Sequence, residues 1–263
     1  MDVTIRLEQP NDYRIVEELT REAFWGLHHP DCDEHLLVHR LRKISAFVPK
    51  LDFVAEANGK IVGNIMYSMS KIITNENVEY ETLNFGPISV LLEYQNRGIG
   101  KMLMMRSISE AKRLGYRAIL FFGHPDYYTR FGFKWAKEYN ITTSWGDNFD
   151  AFMAMPLYEG ALDGVSGRYY EDPVFEISEE DKNEFDKGFP YKEKCTLPSV
   201  EALKEKLTAK VFTVIKEHKI NNLCDLRRYS EREVSSWSGI DAVSLKVIKA
   251  TMIENGYLWG ECR

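Results

Sequence analysis

The segment Gln95-Asn96-Arg97-Gly98-Ile99-Gly100-Lys101 has the residue types a diphosphate requires. Glycine carries no Cβ, so the backbone at Gly98 and Gly100 can approach a phosphate closely. If a helix starts here, its first N–H groups point outward without acceptors and carry partial positive charge. Arg97 and Lys101 add two full positive charges. A lone Gly-x-Gly would equally suit a tight turn with no ligand. The full Gln/Arg-x-x-Gly-x-Gly run, set between a strand and a long helix, favours the anion site.

Hydrophobic periodicity supplies the elements around this run. Val3–Leu7 alternates as a short strand. Asn11 is read as the cap of a helix carrying Ile15, Val16, Leu19 and Phe24 on one face, and residues 33–44 as a second helix. Residues 51–57 and 61–68 read as strands, with Asn58-Gly59 between them as a hairpin turn. Residues 83–91 form another strand, and 98–114 a helix with Ile99, Met102, Leu103 and Met105 inward and Gly115 as its C-terminal stop. Residues 117–122 are almost wholly apolar, as in the middle of a covered sheet. Residues 127–130 read as a short helix, and 131–136 and 152–157 as strands. The order predicts an α/β fold, a mixed twisted sheet flanked by helices.

The chain has 263 residues, 44% of them hydrophobic and 13% aromatic, enough for a substantial core and one or two domains. The formal charge is −6, distributed as −9 over residues 1–190 and +3 over 191–263. The four cysteines, Cys32, Cys195, Cys224 and Cys262, lack C-x-x-C spacing and are too sparse for a disulfide scaffold. They are read as free thiols of a reducing compartment, and no metal site is expected. The N-terminus lacks a signal-peptide core, and no apolar run approaches a bilayer span, so the expectation is a cytoplasmic protein.

The cradle resembles the coenzyme A-binding loop of the GNAT superfamily of N-acetyltransferases, and Tyr127-Tyr128-Thr129-Arg130-Phe131-Gly132-Phe133 resembles its Tyr-x-x-x-Gly-Phe signature. The resemblance covers about residues 3–160 and includes the element order; Gly123-His124-Pro125-Asp126 and the Met153–Leu162 stretch, written 153–162, look like one bacterial branch of predicted acetyltransferases. It implies that acetyl-CoA is the cosubstrate. Gln95, Asn96, Arg97, Gly98, Ile99, Gly100 and Lys101 would hold the pyrophosphate, and the backbone of Ile88, Ser89 and Val90 would pair with the pantetheine arm. It further implies that Tyr128 is the acid for the departing thiolate, with Tyr127 in the core.

Acetyl transfer needs a neutral amine, whose free pKa near ~10.4 calls for a proton acceptor. Some branches of the family place a glutamate on the strand before the loop; Asn84 stands there and cannot take a proton. His124, Asp126 and a water chain remain as alternatives, with His28 and His29 as weaker candidates. Nothing near Cys32 suggests an activated thiol, so direct attack of a primary amine, foremost of a small molecule, is the expectation. The alternatives are a non-catalytic acyl-CoA-binding regulator and a protein acetyltransferase targeted by the C-terminal segment.

Residues 176–197 are acidic at first and then carry Lys187-Gly188-Phe189-Pro190, which reads as a linker after a domain at 1–175. A helix of about 20 residues is expected from Pro198-Ser199, a capping box at Ser230–Glu233 (residues 230–233), and a helix capped by Asp241 and ending at Asn255-Gly256. Residues 215–260 resemble the C-terminal domain of the RNA polymerase α subunit, a helix-hairpin-helix relative, through Asp225-Leu226, Tyr229-Ser230-Glu231, Gly239 and Ser244-Leu245-Lys246-Val247-Ile248-Lys249. Helix-hairpin-helix modules bind phosphate through a Gly-hydrophobic-Gly hairpin. Asp241 replaces the second glycine and would repel a phosphate, so DNA binding is not expected. A protein partner or a structural role for 198–263 is.

Overall fold

The computed structural model describes residues 2–27, 29–229 and 231–255, with the side chains of Arg227 and Arg228 excepted. His28, Ser230 of the expected capping box, Gly256, Tyr257 and Cys262 lie outside the described residues.

Among the described residues, nine strands form one sheet: β1 (Val3–Leu7), β2 (Phe53–Ala57), β3 (Lys60–Ile73), β4 (Glu79–Val90), β5 (Ala118–Phe122), β6 (Lys134–Trp135), β7 (Ile141–Thr143), β8 (Phe152–Pro156) and β9 (Gly167–Tyr170). The main order is β1-β2-β3-β4-β5-β8-β6. The β2–β3 turn has Asn58 at φ 52 and Gly59 at φ 76, the left-handed pair that a two-residue hairpin of this twist requires. At 14 residues β3 outruns β2, and β9 covers its far end, with Tyr170 opposite Lys71.

Two irregularities open the middle of the sheet. The β3–β4 register passes from Ile65↔Ile88 to Tyr67↔Phe85, so β4 carries one extra residue at Gly86-Pro87, a bulge of the kind that bends a strand. β4 and β5 run parallel but meet in register at one pair only, Leu83↔Ile119. Beyond that pair their C-terminal halves diverge and leave an opening between Asn84–Ile88 (residues 84–88) and Leu120–Gly123 (residues 120–123).

Helices cover both faces. α1 (Tyr13–Phe24) and α2 (Glu34–Leu41) pack on one side, and α3 (Ile99–Arg113) on the other, where Ile99, Leu103, Met104, Ile108 and Ala111 join the largest core cluster. Met102 and Met105 are exposed instead, because methionines occupy both faces of α3 and hydrophobicity alone does not single out the buried stripe. For the same reason Ile15 is 46% exposed while Val16, Leu19 and Ala23 are buried. A 3-10 turn (Pro10–Asp12) precedes α1, and it is Asp12, not Asn11, that accepts a backbone hydrogen bond there, from Gln9 at 2.8 Å. The expected strand at 131–136 shrinks to β6, since a 3-10 turn (Thr129–Phe131) and Gly132 at φ 95 break extended backbone.

The expected linker is instead a docked strap. It holds α5 (Glu179–Asp186), whose Lys182 ammonium is buried against Asp31 at 2.9 Å. Asp186 takes a bidentate pair of bonds from Arg21 at 2.6 and 3.0 Å, and Phe185 and Phe189 pack on the fully buried His35 ring. Further along, Trp25 donates to the Glu193 carbonyl at 3.0 Å and the Cys195 N–H to that of Pro30 at 2.7 Å.

Residues 198–255 are all-helical around their own cluster, which includes Leu203, Ile215, Leu223, Leu226, Val234, Trp237 and Ile248. The expected 20-residue helix is divided into a 3-10 turn (Val200–Leu203) and α6 (Ala209–Glu217), because Thr208 starts the second piece by accepting from the Val211 N–H. A 3-10 segment (Leu223–Arg228), α7 (Glu231–Ser236) and α8 (Ala242–Glu254) complete the unit. The Asp241 carboxylate caps α8 by accepting from the Ser244 N–H at 2.7 Å.

Candidate acyl-transfer site

Two cavities open on either side of Ile88, which lines both. The first, of about 350 Å³, is lined by Ile88, Val90, Gln95, Asn96, Gly98, Ile99, Gly100 and Lys101 together with Tyr94, Tyr127, Arg130 and Phe131. The chain enters through left-handed residues, Asn96 at φ 58 and Gly98 at φ 83, and Gly98 is the N-cap of α3. The first-turn N–H groups of this 15-residue helix therefore face the cavity with no helical acceptor. A Cβ on Gly100 would stand 2.9 Å from the Tyr127 hydroxyl, so that glycine keeps the space open. Lys101 and Arg130 are both exposed at the rim, and the Arg130 guanidinium lies 4.7 Å over the Tyr127 ring. This arrangement of backbone N–H groups, two cations and absent Cβ atoms fits a diphosphate.

Two sequence-predicted residues, Ser89 and Arg97, are not among the described lining residues of this cavity. Ser89 is fully buried and shares a 2.8 Å hydrogen bond with Thr20. The Arg97 guanidinium lies 5.6 Å from the Tyr94 ring centroid and is not among the described lining residues. Gln95 fastens the loop, donating from Nε2 to the Val90 carbonyl at 3.0 Å. Tyr127, expected in the core, packs against the main core cluster and also lines the cradle, as does Arg130 of the same motif.

The second cavity, of about 310 Å³, occupies the gap between β4 and β5. Its wall includes Tyr128, 3% exposed, whose ring packs edge-on to Phe121 at 4.5 Å. α4 (Pro125–Tyr128) thus turns two consecutive tyrosines toward two different cavities. Two carboxylates, Glu34 and Glu171, line the second cavity. Desolvation pushes Glu171 up to about 7 against the Asn84 amide, which donates to its Oε2 at 3.0 Å; Glu176 adds to the rise. Desolvation and then the charge of Asp33 raise Glu34 to about 8. Sequence reading missed both residues: Glu171 follows a four-residue strand and reaches Asn84 from 87 positions away.

His124 lines neither cavity among the described residues. It is 7% exposed, with Nε2 3.3 Å from the Tyr229 carbonyl of the helical unit and Nδ1 3.7 Å from Asp126. This favours an anchoring role. His29 is exposed, and the Cys32 thiol is raised by burial and by Glu34, so no reactive thiolate forms there. No group of three or more metal-ligating side chains occurs among the described residues, and no described helix is long and apolar enough to cross a membrane.

Residues 51–135 match the family model described as an acetyltransferase (GNAT) domain. The chain is 27% identical over 170 residues to the uncharacterized N-acetyltransferase YhbS of Escherichia coli K12, covering 64% of this chain and 96% of that protein. Among solved structures it resembles YhbS from Escherichia coli in complex with CoA, at TM-score 0.58 and 26% identity over 66% of this chain and 91% of that one. It also resembles a GNAT family acetyltransferase from Brucella melitensis in complex with acetyl-CoA, at TM-score 0.54 and 26% identity, covering 66% and 99%. Fold, cradle and relatives define an acyl-CoA-dependent acetyltransferase. The segment that matches the GNAT domain model runs from just before β2 through the cradle to the end of β6.

Proposed function

We propose that the protein moves an acetyl group from acetyl-CoA to the primary amine of a small molecule by direct attack. The observation that carries this reading is the pair of cavities meeting at Ile88, one fitted to a diphosphate and the other bearing carboxylates and a buried phenol. The pyrophosphate would sit on the α3 N-terminus between Lys101 and Arg130, with the pantetheine arm along Ile88–Val90 (residues 88–90). β5 has already diverged from this stretch of β4, where the Val90 carbonyl is engaged by Gln95.

At the junction the amine nitrogen attacks the thioester carbonyl, forming the C–N bond, and the C–S bond then breaks. Tyr128 supports the acid role: its hydroxyl would give the leaving thiolate a proton in a desolvated wall, where a positioned donor is worth most. The small volume of the second cavity, near the lower end of the ~300–1,000 Å³ of ligand sites, supports a small acceptor over a protein tail. The helical unit at 198–255 is proposed to dock a protein, since Asp241 is committed to capping α8 where a phosphate-binding hairpin needs a free N–H. The test is an acceptor screen reading free thiol release with acetyl-CoA. Thiol release above background with any amine supports transfer, and acetyl-CoA binding without turnover across the panel would favour a non-catalytic binder.

A further inference from the structure

The cavity between β4 and β5 combines two properties that narrow its ligand. Its only charged lining side chains among the described residues are carboxylates, Glu34 and Glu171. Apart from Asn84 and Tyr128, the rest of its wall is apolar or backbone and includes Phe24, Leu27, Leu37, Phe121, Phe122 and Phe175. The aromatic wall continues outward: Phe122, 37% exposed, stacks on Phe149 at 5.5 Å and lies 6.2 Å from Trp145, itself 61% exposed.

Resting on the acetyltransferase reading, we propose that the acceptor is a primary ammonium carried on an apolar body of about one ring, with no carboxylate beside the amine, and that Glu171 receives the ammonium proton. An ammonium entering the cavity favours ionisation of the two carboxyls and is held by them, whereas an acid meets no cation there, and aromatic faces favour both an apolar body and its positive end. Asn84 occupies the β4 position from which a carboxylate could act, and its amide instead fixes Glu171 at the same wall. The proton passes from the ammonium to the Glu171 carboxylate, the freed lone pair forms the C–N bond, the C–S bond breaks as the thiolate takes the proton of Tyr128, and the second proton shed by the nitrogen restores the Tyr128 phenol. A carboxyl poised near neutrality suits this task, since it ionises at working pH and still accepts a proton. The groups bearing on Glu171 are Asn84, Glu176 and Tyr169, with Glu34 and Tyr128 across the cavity.

Three acceptors separate body from charge: 2-phenylethylamine, phenylalanine (the same body with an adjacent carboxylate) and spermidine (cationic, without a ring). At saturating acetyl-CoA, kcat/KM for 2-phenylethylamine should exceed the other two by on the order of 10- to 100-fold. Glu171→Gln should cut it at least about tenfold and remove the rise of kcat/KM through pH 7, leaving the acetyl-CoA melting shift intact. Glu34→Gln should narrow the gap to phenylalanine. Phenylalanine or a lysine peptide turned over as well as 2-phenylethylamine would overturn the acceptor class, and an unchanged pH profile in Glu171→Gln would overturn the base. No acetyl-CoA shift in the wild type would mark failure of the acetyltransferase reading itself. If acetyl-CoA binds but no amine releases thiol, calorimetry of 2-phenylethylamine decides: tighter binding to the wild type than to Glu171→Gln supports the acceptor class, and equal or absent binding refutes it.

Discussion

Replacing Gly98 by aspartate tests the cradle with charge rather than bulk. A Cβ built on Gly98 meets nothing within 4 Å, so the substitution creates no clash. Its φ of 83 is left-handed, which costs a non-glycine residue ~1–3 kcal/mol, with Asp at the low end. The new carboxylate at the N-cap of α3 offsets ~0.3–1 kcal/mol of that through the helix dipole. The protein should therefore stay folded, with stability lowered by about 0–2 kcal/mol. The ligand fares worse. Two unit charges ~4 Å apart at an effective dielectric near 20 repel by ~4 kcal/mol, close to a thousandfold in affinity. Acetyl-CoA at 100 times its wild-type Kd stabilises the wild type by about 2.7 kcal/mol, roughly 5–10 °C for a chain of this size. For the variant the same concentration is about a tenth of Kd and gives less than ~0.1 kcal/mol. Gly98→Asn has the same shape and backbone strain without the charge, and should keep most of the shift. A full shift in Gly98→Asp would falsify the diphosphate assignment; equal loss in both variants would attribute the effect to the backbone.

Tyr128→Phe should lower kcat on the order of 10- to 1000-fold with the acetyl-CoA melting shift unchanged, and an unaltered kcat would make the ring purely structural. Burial and a hydrogen bond shared with Glu8 push Asp52 up to about 9, so the folded protein keeps a proton that the unfolded chain releases near 4. That contribution is complete below pH ~4 and is lost as pH rises toward 9, at up to about 1.4 kcal/mol per pH unit. Asp52→Asn, which still accepts from Asn64 and donates to Glu8, should flatten the fall in melting temperature at alkaline pH; a parallel decline in both proteins would refute this. A fragment ending at residue 197 should fold and bind acetyl-CoA, while one ending at 175 removes the partners of Asp31 and Arg21 and uncovers the His35 ring, and should melt at a lower temperature. Limited proteolysis should accordingly spare residues 176–190, and early cleavage there would show the strap to be loosely held.

The cradle was legible because its parts are contiguous. Gln95 to Lys101 and Tyr127 to Phe131 each occupy one turn, and a glycine in a left-handed loop before a helix leaves the same trace in the sequence as in space. The neighbouring tyrosines show where that legibility ends. Their spacing marked the motif, but which ring faces which cavity follows from the direction of a four-residue helix that no periodicity reveals. The strap was read as a linker because its charges looked solvated. Lys182 and Asp186 are satisfied by Asp31 and Arg21, partners more than 150 positions away, and pairing at that range has no local signature. β7 and β9 escaped for a related reason: at three and four residues they are too short for alternation to register.

The two cavities differ in what holds them, and that bears on how acceptor choice is built. The diphosphate cradle needs β4, the α3 N-terminus and α4, all within residues 88–131. The acceptor cavity draws Phe24 from α1, Glu34 and Leu37 from α2, and Glu171 and Phe175 from the segment after β9. That segment runs directly into α5, which Lys182 and Asp186 fasten to Asp31 and to Arg21 of α1. The strap therefore fastens the segment that carries Glu171 and Phe175, although no residue of 176–197 is itself among the described lining residues of that cavity. A substitution in the strap interface, such as Lys182→Met, should shift KM for the amine while leaving acetyl-CoA binding unchanged, because no strap residue touches the cradle among the described residues. Equal effects on both ligands would mean that the two cavities share one support, and acceptor choice would then not be separable from cofactor binding.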